Sequence, residues 1–346
     1  CGQCTDCFNA PFKHRPQVST QYALTLNKPD NQSDRQKFRW GFVGSSDNHR
    51  ARAGNGFKDS GRRKGNTETM GAAASNRIGG GVDRGVRSEL GSRRIETLGE
   101  IGLNELRNQE RQQSFYLTGG LVAVHSQGRD RESIWEALKT RQVYATSGDR
   151  IMLWFDLLNS DSGAVPMGGM TAMDSAPRFK VEAAGAWQQK PGCPDYVGAA
   201  LGAQRQASLC ANECFNPGSE RKALERIEIV RIRPRETAGE TAQELIEDPW
   251  RSYPCERADG TCSVEFVDPE FLQQGREMIY YARAIQAPTP AVNAGSLRCE
   301  YDDKGVCVAV NPCYGDTRTH PNDDCLSPNA ERAWSSPIYI DFKGEL

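Results

Sequence analysis

The sequence predicts an α/β fold in two parts: a strand–helix–strand region over residues 1–158, followed by a disulfide-rich, β-sandwich-like domain over residues 159–346. Three observations predict it. Residues 120–125 and 151–158 are apolar runs of strand length, and between them Ile134, Ala137, Leu138 and Arg141 recur at helical three- and four-residue spacing. Beyond residue 158, β-rich segments recur at 178–183, 227–233, 262–267, 278–286 and 338–342, separated by Pro, Gly and Asp turns and by no long helix. Most of the 12 cysteines stand in that second part in closely spaced groups, as in chains stapled by disulfides.

Taken in order, residues 1–38 are polar and loop-rich, with Tyr22-Ala23-Leu24-Thr25-Leu26 as the one apolar segment. Residues 40–44 read as a short strand. Residues 50–94 are dense in Gly and Arg and hold too few apolar side chains to bury much, so they read as a long loop or excursion. Its arginines could form a lid over an anionic substrate or an anion-binding surface for a partner, while a solvated insertion accounts for most of them. Arg52 stands apart because it lies three residues from His49. Helical spacing returns over residues 89–113 through Leu90, Ile95, Leu98, Ile101 and Leu106, weakened by Gly99 and Gly102. Residues 120–125 are apolar enough for a strand buried in a parallel sheet. Asp130 can then cap a helix running to Gln142.

The chemistry concentrates at three places. Asp47 and His49 lie two apart on extended backbone, project to one side and can share a divalent ion; otherwise Asp47 caps a turn and His49 is a surface residue. Thr146, Ser147 and Arg150 offer hydroxyls and a guanidinium to an oxyanion; otherwise they form a tight connection with Gly148 at positive φ and the hydroxyls on local backbone. His125 ends a strand as a ligand would, although a histidine satisfied at a strand end is the commoner case. The acidic pairs Asp302-Asp303 and Asp323-Asp324 read as solvated turns, since they lack a complete calcium-loop pattern.

Composition narrows the classes. No run of 18 apolar residues occurs, so no membrane span is expected. Net charge of −2 and a pI near 6.2 argue against a nucleic-acid partner, as does the lack of aromatics among the clustered arginines. Cysteine usage points to a periplasmic or extracellular location. Local pairing predicts Cys255–Cys262, Cys299–Cys307 and Cys313–Cys325. The opening Cys1-Gly2-Gln3-Cys4-Thr5-Asp6-Cys7 lacks the further ligands of an iron–sulfur, haem or zinc site, which leaves disulfides.

Gly41-Phe42-Val43-Gly44-Ser45-Ser46-Asp47-Asn48-His49 and the following Arg50-Ala51-Arg52-Ala53-Gly54-Asn55-Gly56-Phe57-Lys58 resemble the last metal-binding motif of the polymerase-and-histidinol-phosphatase (PHP) superfamily. The closer resemblance is to the DUF3604 family, near the carbaryl-hydrolase-like branch. It continues through Leu117-Thr118-Gly119-Gly120-Leu121-Val122-Ala123-Val124-His125 and Arg141-Gln142-Val143-Tyr144-Ala145-Thr146-Ser147-Gly148-Asp149-Arg150-Ile151, and returns weakly at Arg332-Ala333-Trp334-Ser335-Ser336-Pro337-Ile338.

The resemblance implies the C-terminal part of a PHP-like distorted β/α barrel, with one to three divalent ions (Zn, Mn or Fe) at the strands' carboxyl ends. Asp47 and His49 would be metal ligands, and Arg52, Thr146, Ser147 and Arg150 would contact a small anionic or ester-like substrate. Such enzymes also use an early His-x-His and a Thr-Asp-His, whereas the histidines here are His14, His49, His125 and His320. Because the chain opens at Cys1, the remaining ligands are expected from an upstream segment. The expected activity is metal-dependent hydrolysis of an ester, phosphoester or carbamate. The alternative is a non-catalytic secreted binding or assembly module with a degenerate metal site. Either is compatible with a homo-oligomer.

Overall fold

The computed structural model describes residues 19–26, 37–45, 91–92, 94, 120–210, 214–292, 300–309, 311, 313–314 and 326–344. Two main sheets are built from β1 Leu121–Val124, β2 Val143–Thr146, β3 Met152–Ser160, β4 Gly163–Pro166, β5 Met170–Met173, β6 Arg178–Ala184, β7 Leu224–Ile232, β8 Ile246–Pro254, β9 Thr261–Val267, β10 Met278–Gln286, β11 Arg332–Ser335 and β12 Ile338–Phe342. The helices are α1 Thr20–Thr25, α2 Arg131–Lys139, α3 Asp195–Leu201, α4 Ala203–Cys210, α5 Ala242–Leu245 and α6 Phe271–Gln274. The large sheet runs β8-β7-β10-β11-β2-β1, with β12 pairing β10 and β5 pairing β12; the small sheet runs β9-β6-β3-β4. Only the β12–β5 ladder of these sheets is parallel.

Period-two alternation divides the large sheet into two buried faces. Ile227 and Ile229 of β7, Met278, Tyr280, Ala282 and Ala284 of β10, and Ile338 and Ile340 of β12 turn inward to Leu153, Phe155, Phe179 and Val181 of the small sheet. Phe179 joins the layers, with ring centroids 5.4 Å from Phe155, 5.0 Å from Phe266 and 4.7 Å from Tyr280. Val230, Ile232, Ile279, Tyr281 and Tyr339 turn outward, where Leu24 of α1, Trp40 and Phe42 cover them. Burial on both faces explains why β10 and β12 are dense in apolar side chains, with Arg283, Gln286 and Asp341 as the polar exceptions.

Residues 37–45 complete that outer layer without joining a ladder, which corrects the strand expected at 40–44. Its groups find side-chain partners instead. Phe42 N–H donates to Ser336 Oγ at 2.9 Å, Ser336 Oγ donates to the Val143 carbonyl at 2.5 Å, and Tyr339 OH donates to the Trp40 carbonyl at 2.7 Å.

The described strands form mostly antiparallel sheets and close no barrel, where the resemblance implied the C-terminal part of a distorted β/α barrel. The β1–α2–β2 unit shows why. Asp130 caps α2 as expected, accepting from Ser133 N at 2.8 Å, but the helix ends at Lys139 and Arg141 turns left-handed at φ 62°. The chain reverses there, His125 N donates to the Gln142 carbonyl at 2.9 Å, and β2 returns antiparallel to β1. β1 is consequently an edge strand with Val122 exposed, where a buried parallel strand was expected. On α2 only Ala137 is buried, and Ile134 and Leu138 of the expected apolar face are exposed.

Strand β3 crosses position 158 and the large sheet takes strands from both sides of it, so among the described residues that position separates no two sheets. Within the helix expected at 89–113, Gly91–Ser92 pair antiparallel with Cys313–Tyr314; apart from Arg94, the rest lies outside the described residues. Cys255–Cys262 is bonded as predicted, and Cys193–Cys214 forms a second disulfide. Cys307 is also disulfide-bonded. The predicted pairs Cys299–Cys307 and Cys313–Cys325 each include a residue outside the described set. Among the described residues no helix is long and apolar enough to cross a membrane.

Candidate functional site

Two glycines bring three backbone segments together at the edge of the outer layer. A Cβ on Gly44 would stand 2.7 Å from the Leu121 carbonyl oxygen and 3.1 Å from that of Thr146; on Gly120 it would meet the Ser45 carbonyl oxygen at 2.9 Å. Such approach is open only to residues without a side chain. Ser45, two positions before Asp47, is thereby set beside Thr146.

These segments line a cavity of about 1220 Å³ on the outer face of the large sheet, floored by β10 and β11 and walled by α1, residues 40–45 and α5. That volume suits a small molecule of drug size or somewhat larger. Aromatic walls come from Trp40, Phe42, Tyr281 and Trp334, and the charged lining is Asp248, Arg283 and Arg332.

Most of the polar groups are already matched. Gln21 Nε2 donates to Asp248 Oδ2 and to Tyr281 OH, each at 2.6 Å. Arg283 pairs with Asp248 and, at 2.7 Å, with Glu228. Burial raises the Tyr281 hydroxyl above its ordinary pKa, so it stays protonated. Arg332 differs: its Nε donates to the Ala330 carbonyl at 3.3 Å, and it forms no ion pair with a described residue. Burial, then the nearby Arg283 guanidinium, shift its pKa below the usual arginine value.

The expected substrate contacts divide here. Thr146 and Ser147 line the cavity. Gly148 has the predicted positive φ (142°), and its N–H donates to Thr146 Oγ1 at 3.3 Å. Ser147 is held by β11: its N–H donates to the Arg332 carbonyl at 2.9 Å, its Oγ accepts from Arg332 N at 2.9 Å, and its hydroxyl donates to Glu331. Arg150 leaves the group, being exposed with its guanidinium 3.8 Å from the Phe215 ring centroid. Asp47, His49 and Arg52 lie outside the described residues. His125 follows the commoner reading, with Nε2 2.9 Å from the Leu153 carbonyl and its ring against Tyr144 and Trp154. Among the described residues no three His, Cys, Asp or Glu side chains are grouped to hold a metal ion.

Sequence reasoning missed Arg332, Arg283, Gln21 and the aromatic walls. The available signal was the motif's weak return at Arg332-Ala333-Trp334-Ser335-Ser336, the strand that crosses the cavity floor.

Fold and site together define a mixed α/β protein with an antiparallel two-sheet core and a polar, aromatic-walled cavity on the far side of its large sheet. Residues 28–189 match the model of a family described as "Protein of unknown function (DUF3604)", which supports that family for this chain. The matched segment holds residues 37–45, β1 and β2; β10 and β11 lie beyond it. The chain matches no curated protein and no solved structure.

Proposed function

We propose that this chain is a secreted or periplasmic metal-dependent hydrolase acting on an ester, phosphoester or carbamate bond of a small anionic or ester-like molecule. The observation that carries the reading is that residues 41–45, the described part of the motif, line one cavity with Thr146 and Ser147, where Gly44 and Gly120 let Ser45 approach Thr146. The likeness of that motif to a PHP metal-binding motif adds support, and the disulfides fit an oxidising compartment.

A carboxylate and an imidazole two residues apart suit a Zn, Mn or Fe ion, which would acidify bound water. The described residues do not assemble a further donor set, so no catalytic step is assigned through the metal. What they do assemble is a binding chamber. Thr146 sits at its junction with the motif, and the aromatic walls exclude water from an apolar substrate portion.

The test is metal content of the purified protein, alongside hydrolysis of p-nitrophenyl acetate and p-nitrophenyl phosphate. Wild type should retain metal and turn over at least one ester, whereas Asp47→Ala and His49→Ala should each lose metal affinity by about tenfold or more, since even outer-shell partners are worth that much. Unchanged occupancy in both variants would remove the assignment. Absence of both metal and turnover in wild type would favour a binding module.

A further inference from the structure

We propose that Arg332 is the anion-recognition residue of this cavity, and that the ligand class it selects is a small amphipathic oxyanion: one phosphate or carboxylate group on an aromatic or comparably apolar body. The inference rests on the cavity being the substrate site and is independent of the metal.

Among the described residues, Arg332 is the charge in the lining that forms no ion pair. Asp248 is engaged by Arg283 and Gln21. Behind the wall, Glu228 accepts from Arg226 and Arg283, each at 2.7 Å. Glu331 accepts from Ser147 and, at 2.6 Å, from Asn329 Nδ2. Each neighbouring carboxylate is thus engaged by another donor, and no described carboxylate reaches ion-pair distance of Arg332. A half-buried guanidinium that makes no direct ion pair with a described carboxylate is electrostatically costly, and its planar fork of donors fits an oxyanion in bidentate fashion.

Two further observations point to an acceptor-bearing ligand with an apolar body. Trp40 Nε1 and Arg283 Nε belong to cavity-lining residues and are buried donors without a hydrogen-bond partner among the described residues. The Arg332 guanidinium also stands 6.0 Å from the Trp334 ring centroid, so an anion held there lies beside an aromatic surface.

The experiment uses phenyl phosphate and inorganic phosphate as probes in calorimetric titrations of the intact chain, before and after treatment with a chelator. Phenyl phosphate should bind saturably, and inorganic phosphate at least about tenfold more weakly because it lacks the apolar body. Arg332→Gln should weaken phenyl phosphate by roughly ten- to a hundredfold, the usual loss for one charge-assisted contact. Arg150→Gln should change it less than about twofold. Circular dichroism checks that each variant is folded, and Arg332→Lys supplies a milder change that keeps the charge and should bind between wild type and Arg332→Gln.

No saturable binding to wild type, or equal binding by folded Arg332→Gln, overturns the inference. If binding needs Arg332 and survives chelation while metal analysis fails, the hydrolase reading falls and this one stands. If metal and turnover are present but Arg332→Gln binds normally, the reverse holds.

Discussion

The two faces of the large sheet handle an arginine in opposite ways. On the inner side Arg231 of β7 is 2 % exposed and donates to Glu247 at 2.6 Å, Asp268 at 2.9 Å and Glu270 at 2.6 Å. Burial opposes its charge, yet these carboxylates hold its pKa above the ordinary arginine value. On the outer side Arg332 of β11 has no such partner among the described residues and is shifted the other way. Alternate residues of neighbouring strands have therefore taken different tasks. On the inner face the packed core surrounds an arginine matched by three carboxylates; on the outer face a cavity remains, lined by an arginine that pairs with no described carboxylate.

That contrast can be broken first from the inside. Phe179→Ala deletes the ring that touches Phe155, Phe266 and Tyr280, and truncating such a residue costs about 3–5 kcal/mol. Denaturant unfolding should show a large drop in midpoint at similar slope; a drop of under about 1 kcal/mol would mean that the layers are not joined there. A smaller effect should follow from Ser336→Ala, which removes the hydroxyl linking residues 37–45 to β2 and takes the acceptor from Phe42 N, while the Val143 carbonyl keeps the Ser336 N–H at 3.3 Å. About 1–3 kcal/mol is expected, with amide exchange at Phe42 speeding up more than that of the β10 core.

The smallest effect is a pH dependence at the outer edge. Glu240 is held down to about 2 from 4.5, chiefly by the Arg276 guanidinium and also by Glu236 N and Thr237 N. A carboxyl depressed by folding contributes fully above its unfolded pKa and loses that contribution as the pH falls, here from about 4.5 towards 2. With solvent screening the change should be on the order of 1 kcal/mol. Glu240→Gln should flatten the stability profile over that window; an unaltered acid limb would assign the dependence elsewhere.

Much of the framework was legible in the sequence. The bounds of β10 and β12 coincide with the β-rich segments expected at 278–286 and 338–342, because strands buried on both faces are dense in apolar side chains. Asp130 as a helix cap, Gly148 at positive φ and Cys255–Cys262 were equally readable, since each depends on neighbours a few residues away. Residues 40–44 misled because their apolar character serves to cover Tyr281 and Tyr339, while their backbone is held by side chains that no local pattern announces. The parallel pairing expected of residues 120–125 misled because strand–helix–strand order leaves pairing direction open, and the chain reverses at the left-handed Arg141.

By itself, the sequence determined where β10 and β12 lie, where α2 starts, that Cys255 pairs with Cys262 and that a Gly-Ser-Ser-Asp-Asn-His segment is a place to look for chemistry. Only the tertiary structure decided which side chains share the cavity. It set Arg332 beside Ser147, 185 residues away, and sent Arg150 to Phe215. Hydrophobic alternation and caps act over a few residues and are written locally, whereas a binding site depends on strand order and register, which are settled when distant strands pair and bury their faces together.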